Sequence, residues 1–255
     1  MGGFGNVLFQ ILAFKIAKNN NISLKYIDVL TKKNIITKLL GWKIHERLYD
    51  DFINQNDIYK VNIYKVFFIL IIAIISKIFT IKSSLVVFYN DKNKFLPPYA
   101  NNIFGYFQDK EFLEKNKEEL LKLGREIRKK YIKNESYIVV HYRYGDSVWA
   151  KEHELYYQEV RKLVKEEKET VMIATDSPKD ALEFFRECNN IELTKVKNAF
   201  DDFKYMISAH KLYCAPSTFS WWAAHSLSPD SKIIIPEFFE INLGIYINKK
   251  NVIII

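Results

Sequence analysis

The 255-residue chain predicts an α/β fold in two parts, the C-terminal part built on a parallel sheet. Three observations point there. From about residue 137, β-branched runs alternate with amphipathic stretches, the pattern of strand–helix–strand units. A long charged segment from Asp109 to Ile132 separates this regular half from a less regular one. The residues that follow each expected strand are polar, as they are where open parallel sheets bind ligands.

The expected strands of the second half are YIVVHY at 137–142, TVMIAT at 170–175, KLYCA at 211–215 and KIII at 232–235. Between them, ELYYQEVRKLVKEE from Glu154 and SPKDALEFFREC from Ser177 repeat apolar residues at helical spacing, and Ser177-Pro178 is a cap-then-proline start. The segment 109–132 carries Phe112, Leu113, Leu120, Leu121 and Leu123 among many charges, which suits a helix bridging the two halves over solvent. The boundary is placed there, giving parts 1–115 and 116–255. In the first part, NVLFQILAFKIAKNN reads as a buried helix and SLKYIDV at 23–29 as a strand. The apolar run Val66 to Ile75 lies between Lys65 and Lys77, short of the roughly 18 residues a bilayer crossing needs. A buried core helix and a lysine-flanked helix resting on a membrane or facing an acceptor are both readings of it.

Hydrophobic residues make up 49% of the chain, enough for one large core or two linked smaller ones, so disorder is not the default reading. The formal charge of +8 favours an anionic partner. Lysines spread without interleaved aromatics argue against nucleic acid. Two cysteines, Cys188 and Cys214, make neither a disulfide framework nor a zinc site. With no secretory leader visible at Met1-Gly2-Gly3-Phe4-Gly5-Asn6, the expected place is the cytoplasm or the inner face of the cell membrane.

The strand-end rule collects His141, Arg143 and Asp146 after the first strand, Thr175, Asp176 and Ser177 after the second, and Ser217, Thr218 and Ser220 after the third. A guanidinium takes phosphate oxygens in a fork, while hydroxyls and helix N–H groups take the others, so this set suits a nucleoside diphosphate. No Asp-x-Asp pair is present to hold a metal, and none is expected. The glycine loop lacks the last glycine of a dinucleotide fingerprint.

HYRYGD at 141–146 resembles the His-x-Arg-Arg-Gly-Asp motif of the α-1,2-fucosyltransferase family. MGGFGNVLFQ at 1–10, GYFQDKEFL at 105–113 and STFSWWAAHSL at 217–227 resemble three further motifs of that family, in the same order. The resemblance implies a GT-B-like fold of two Rossmann-like domains, GDP-β-L-fucose as donor, inversion to an α-1,2 linkage, and no cofactor. It implies an oligosaccharide or lipid-linked glycan as acceptor, in bacterial surface polysaccharide synthesis, with peripheral contact to an anionic membrane. Carried over by position, Arg143 holds the diphosphate, His141 lines the nucleotide site, and Ser217, Thr218, Phe219 and Ser220 form the phosphate-side turn. The resemblance further implies that Asp176 meets the nucleoside and that Gly3, Gly5 and Asn6 face the reaction centre; Asp146 is the candidate base, with Glu152, His153 and Glu154 close by in sequence. Tyr144 stands where the family has its second arginine, removing one charge from the diphosphate site.

Three other features read as structure. Trp221-Trp222 is expected to brace the phosphate-side helix from within. Asp50-Asp51 and Asp201-Asp202 are expected on solvated surface.

Overall fold

The computed structural model describes residues 4–19, 27–29, 58–60, 71, 87–88, 103–104, 107–133, 135–144, 153–196 and 198–255. The chain forms two compact units, Met1–Glu119 and Leu120–Ile255.

In the first unit, α1 (Phe4–Asn19) is apolar nearly all round and correspondingly buried, with Leu8, Phe9 and Leu12 wholly enclosed. β1 (Ile27–Val29) pairs in parallel with β2 (Ile58–Lys60), and β3 (Val87–Phe88) with β4 (Ile103–Phe104). The strand expected at 23–29 is represented by its last three residues. The run Val66 to Ile75, apart from Ile71, and the pair Asp50-Asp51 lie outside the described residues.

The single helix expected over 109–132 is two. α2 (Lys110–Lys115) starts at Asp109, whose carboxylate accepts from the Phe112 N–H at 3.0 Å. It stops at Asn116, whose side-chain amide bonds back to the Phe112 carbonyl at 2.8 Å, and α3 (Lys117–Tyr131) follows. A short polar residue that competes for the helix's own carbonyls is what interrupts the pattern.

The second unit is an α/β layer structure around a six-stranded, wholly parallel sheet, as the alternating pattern predicts. Its strands are β5 (Tyr137–Tyr142), β6 (Val171–Thr175), β7 (Ile191–Leu193), β8 (Ala209–Tyr213), β9 (Lys232–Ile235) and β10 (Val252–Ile254). Their order, β10-β9-β8-β5-β6-β7, is that of a doubly wound nucleotide-binding sheet. The first strand lies at the centre and the winding reverses between β5 and β8.

Both faces are covered, which is why the central strands read as continuous apolar runs. On one face, Ile138, Val140 and Tyr142 pack with Val171 and Ile173 under α4 (Glu154–Lys165) and α5 (Pro178–Phe184). On the other, α6 (Ala199–Ile207) lies against β5, β6 and β8 and against α7 (Thr218–His225). Ser177 is the N-cap residue of α5 with Pro178 first in the helix. The Ser177 side chain makes no cap bond; its N–H donates to Thr175 Oγ1 instead. After β9 comes α8 (Glu237–Asn242).

Candidate functional site

The reversal of winding splays the connections after β5 and β8 to opposite faces and opens a crevice at their carboxyl ends. Two sequence motifs meet there. His141, the fifth residue of β5, and Ser220, in the first turn of α7, share a hydrogen bond of 2.5 Å between Nδ1 and Oγ. The same Oγ accepts from the Ala215 N–H at 2.9 Å, so one hydroxyl ties the central strand to the turn after β8. His141 is buried with its ring against Phe219, 5.3 Å between centroids. Burial, reinforced by the Arg143 charge, pushes its pKa down to about 3, so the imidazole is neutral.

Ser220 has no accessible surface. Of the run 217–220, its hydroxyl therefore serves this internal strut, whereas Ser217 and Thr218 are partly exposed. Ser217 caps α7, accepting from the Ser220 N–H at 3.2 Å. Helical geometry explains the division: the cap and first residue sit at the open end, and the third turns inward.

Arg143 follows β5 directly and is partly exposed at this edge. Its charge acts on both His141 and Tyr157, one on each side of the strand end. The Tyr144 ring stacks on Tyr142, 5.9 Å between centroids and 6° from parallel, over the α4–α5 face. Tyr144 thus shares the face of Tyr142, as alternate residues of an extended chain do. Asp176, exposed at the end of β6, accepts the Tyr144 N–H at 3.3 Å. Its carboxylate thereby joins the ends of β5 and β6.

α7 is held from behind. Trp221 and Trp222 are fully buried and meet edge to face at 5.3 Å, the bracing role their sequence suggested. Trp221 Nε1 donates to the Gly244 carbonyl at 2.9 Å. His225 donates from Nδ1 to the Trp221 carbonyl at 2.7 Å and accepts at Nε2 from the Tyr246 N–H at 3.2 Å, which fixes its neutral tautomer. Its burial pushes the pKa down to about 4. Gly124 of α3 lies so close that a Cβ there would stand 2.2 Å from the His225 carbonyl oxygen.

The other two motifs meet in the first unit. Gln108 Nε2 donates to Asn6 Oδ1 at 2.8 Å across 102 positions of sequence. Next to it, Phe107 is buried with φ of 56°, a left-handed conformation costly for an aromatic residue and held here by its surroundings. Gly5 and Asn6 occupy the first turn of α1, so the segment read as a glycine loop is already helical there. Gly3, Asp146 and Glu152 lie outside the described residues.

Asp202 was missed. Read as solvated surface, it is instead 8% exposed on the inner side of α6, accepting from Thr194 Oγ1 at 2.5 Å. Burial pushes its carboxyl up to about 6, with Asp201 and Asp176 adding to the rise. The signal was present in Phe200, Phe203, Met206 and Ile207, whose spacing aims Asp202 inward and Asp201 outward. Among the described residues no group of three His, Cys, Asp or Glu could hold a metal ion, and no helix is long and apolar enough to cross a membrane.

No protein-family profile matches the chain, and no curated protein resembles it significantly. Among solved structures, it is similar to the crystal structure of NodZ alpha-1,6-fucosyltransferase soaked with GDP-fucose, at 12% identity and a TM-score of 0.40. The match covers 88% of this chain and 89% of that one. A likeness of that depth carries no correspondence between individual residues.

Proposed function

We propose that this protein is a glycosyltransferase that moves L-fucose from GDP-β-L-fucose to a hydroxyl of a glycan. The observation that supports the reading best is the pairing of its motifs. Four short sequences spread over the chain meet two by two through side-chain hydrogen bonds, His141 with Ser220 and Asn6 with Gln108. The first pair lies at the reversal point of a doubly wound sheet, where such folds take nucleotides.

In this reading the diphosphate rests between Arg143 and the N-terminus of α7, whose partial positive charge favours an anion. The acceptor oxygen bonds to the anomeric carbon as the bond from that carbon to the β-phosphate oxygen breaks. GDP leaves with the electron pair, and the acceptor's proton passes to a base, for which Asp146 is the candidate. Negative charge grows on the β-phosphate during this step, so the guanidinium contributes more in the transition state than in the ground state. Attack opposite the leaving group gives inversion, and the α-1,2 linkage, metal independence, GT-B-like pairing of two Rossmann-like units and lipid-linked acceptor at the cytoplasmic membrane face belong to the same proposal.

Calorimetric titration with GDP-fucose, GDP-mannose and GDP in EDTA, followed by assay of released GDP, tests it. Selective metal-free binding of GDP-fucose with turnover is expected. Binding without turnover would favour a non-catalytic nucleotide- or glycan-binding protein, and a folded protein that ignores guanine nucleotides would refute both. Arg143→Ala should weaken GDP binding by roughly tenfold or more while the fold persists, the scale of a lost charge-assisted bond to phosphate.

A further inference from the structure

Arg143 stands one position past the last registered pair of β5 with β6, Tyr142 with Thr175. A residue just off a sheet edge ordinarily samples several backbone conformations, and a guanidinium on a long stem amplifies each of them. Here one side chain reaches both ends of that backbone. The Tyr157 hydroxyl accepts from the Arg143 N–H and donates to the Arg143 carbonyl, both at 3.2 Å. A hydroxyl has one proton to give and lone pairs to receive, so a single group satisfies both ends of the residue and fixes the dihedrals between them.

The ring that delivers this hydroxyl is rigid. Tyr157 belongs to α4, is 3% exposed, and packs against Tyr142, Tyr156 and Phe184 at centroid distances of 4.9, 5.5 and 6.4 Å. Burial raises the phenol's pKa far above its ordinary value, keeping the proton the carbonyl needs. An apolar phenylalanine would have filled the same space. The hydroxyl's observed contact, Arg143, is a residue with a separate claim to function.

We propose that Tyr157 is a positioning residue: it fixes the backbone of Arg143 so that the guanidinium meets the diphosphate without first being ordered. This rests on the reading of the site as a guanine-nucleotide site. Holding a charged group in place before the ligand arrives saves the ordering cost that binding would otherwise bear.

The test is Tyr157→Phe, alone and combined with Arg143→Ala, with binding of GDP and of guanosine measured by ligand-observed NMR, and amide exchange at Arg143 measured without ligand. Tyr157→Phe is expected to weaken GDP about 5- to 20-fold, the scale of a misplaced charged hydrogen bond, and to leave guanosine unchanged, since guanosine has no phosphate for Arg143 to hold. In the Arg143→Ala background the same change should have no further effect on GDP. The Arg143 amide should exchange faster in the single variant. Equal weakening of GDP and guanosine, or a loss that persists without Arg143, would assign Tyr157 a merely structural role and overturn the proposal. So would unaltered exchange. A wild-type protein that binds no GDP would overturn the nucleotide reading and this proposal with it, an outcome distinct from intact GDP binding that Tyr157→Phe leaves unchanged.

Discussion

Acidification should destabilise this fold through two histidines, and the size of the effect follows from their burial. His141 titrates near about 3 and His225 near about 4 in the folded protein, against about 6.5 in an unfolded chain. A depressed folded-state pKa means that stability is fully present above the unfolded value and is lost as pH falls toward the folded one. Between about pH 7.5 and about pH 5, each imidazole in the unfolded chain gains about 2 kcal/mol by protonation that its folded counterpart forgoes. The pair therefore costs about 4 kcal/mol, a large part of the roughly 5–15 kcal/mol that holds a typical domain. Asp202 works the other way: its carboxyl, raised to about 6, returns about 1 kcal/mol over the same interval. In His141→Asn the amide nitrogen can donate to Ser220 Oγ from near the Nδ1 position, keeping the strut while removing the titration. Urea unfolding at both pH values, with unchanged slope, should show the variant losing about 2 kcal/mol less than wild type on acidification. Other titrating groups cancel in that difference. Equal losses in the two proteins would refute the claim that His141 is buried and neutral.

Three further outcomes are expected. Gly124→Ala should lower stability by about 1–3 kcal/mol in a thermal melt, although alanine favours helix, because the added methyl meets the His225 carbonyl oxygen at 2.2 Å and neither backbone can give way cheaply. Asp202→Asn should stabilise the protein by about 1–3 kcal/mol at about pH 8, where the wild-type carboxylate must be charged while buried, and by little at about pH 4; a gain independent of pH would contradict the raised pKa. Replacing Tyr144 with arginine should change GDP affinity by less than about threefold, since its side chain extends over the α4–α5 face, and a tenfold gain in titration would show that position 144 reaches the phosphates.

The sheet was legible where a strand is buried on both faces. Tyr137–Tyr142, Val171–Thr175 and Lys232–Ile235 are runs of β-branched residues, and they appear within a residue of their expected bounds. The third expected strand lies two residues earlier, at Ala209–Tyr213, because registered pairing with β5 begins at Ala209 while Cys214 and Ala215 already lead into the turn. β7 and β10 have three residues each, too few for periodicity, and β7 is only half-buried, so pairing with a neighbour defines them more than composition does. At the site, chemistry was legible by residue type and strand end; direction was not. Ser220 and Ser217 are the same residue type three apart, yet one points into the protein and one toward solvent, a distinction that depends on where the helix begins. Tyr157 looked like one more apolar position on α4, because a tyrosine's ring decides the pattern and only the fold reveals what its hydroxyl meets.

The central strand's two neighbours are made at different times. β5 pairs with β6 nearby in sequence, but its other edge waits for β8, with Tyr137 opposite Ala209, and the His141 strut waits until Ser220 has left the ribosome. During synthesis the nascent chain therefore carries an open edge of Val139 and Val140 and a histidine short of its serine for the whole of the intervening translation. An unpaired apolar edge is open to misassembly for as long as it lasts. Synonymous codon changes that slow elongation between β6 and α7 would lengthen that interval without altering a single residue of the finished protein.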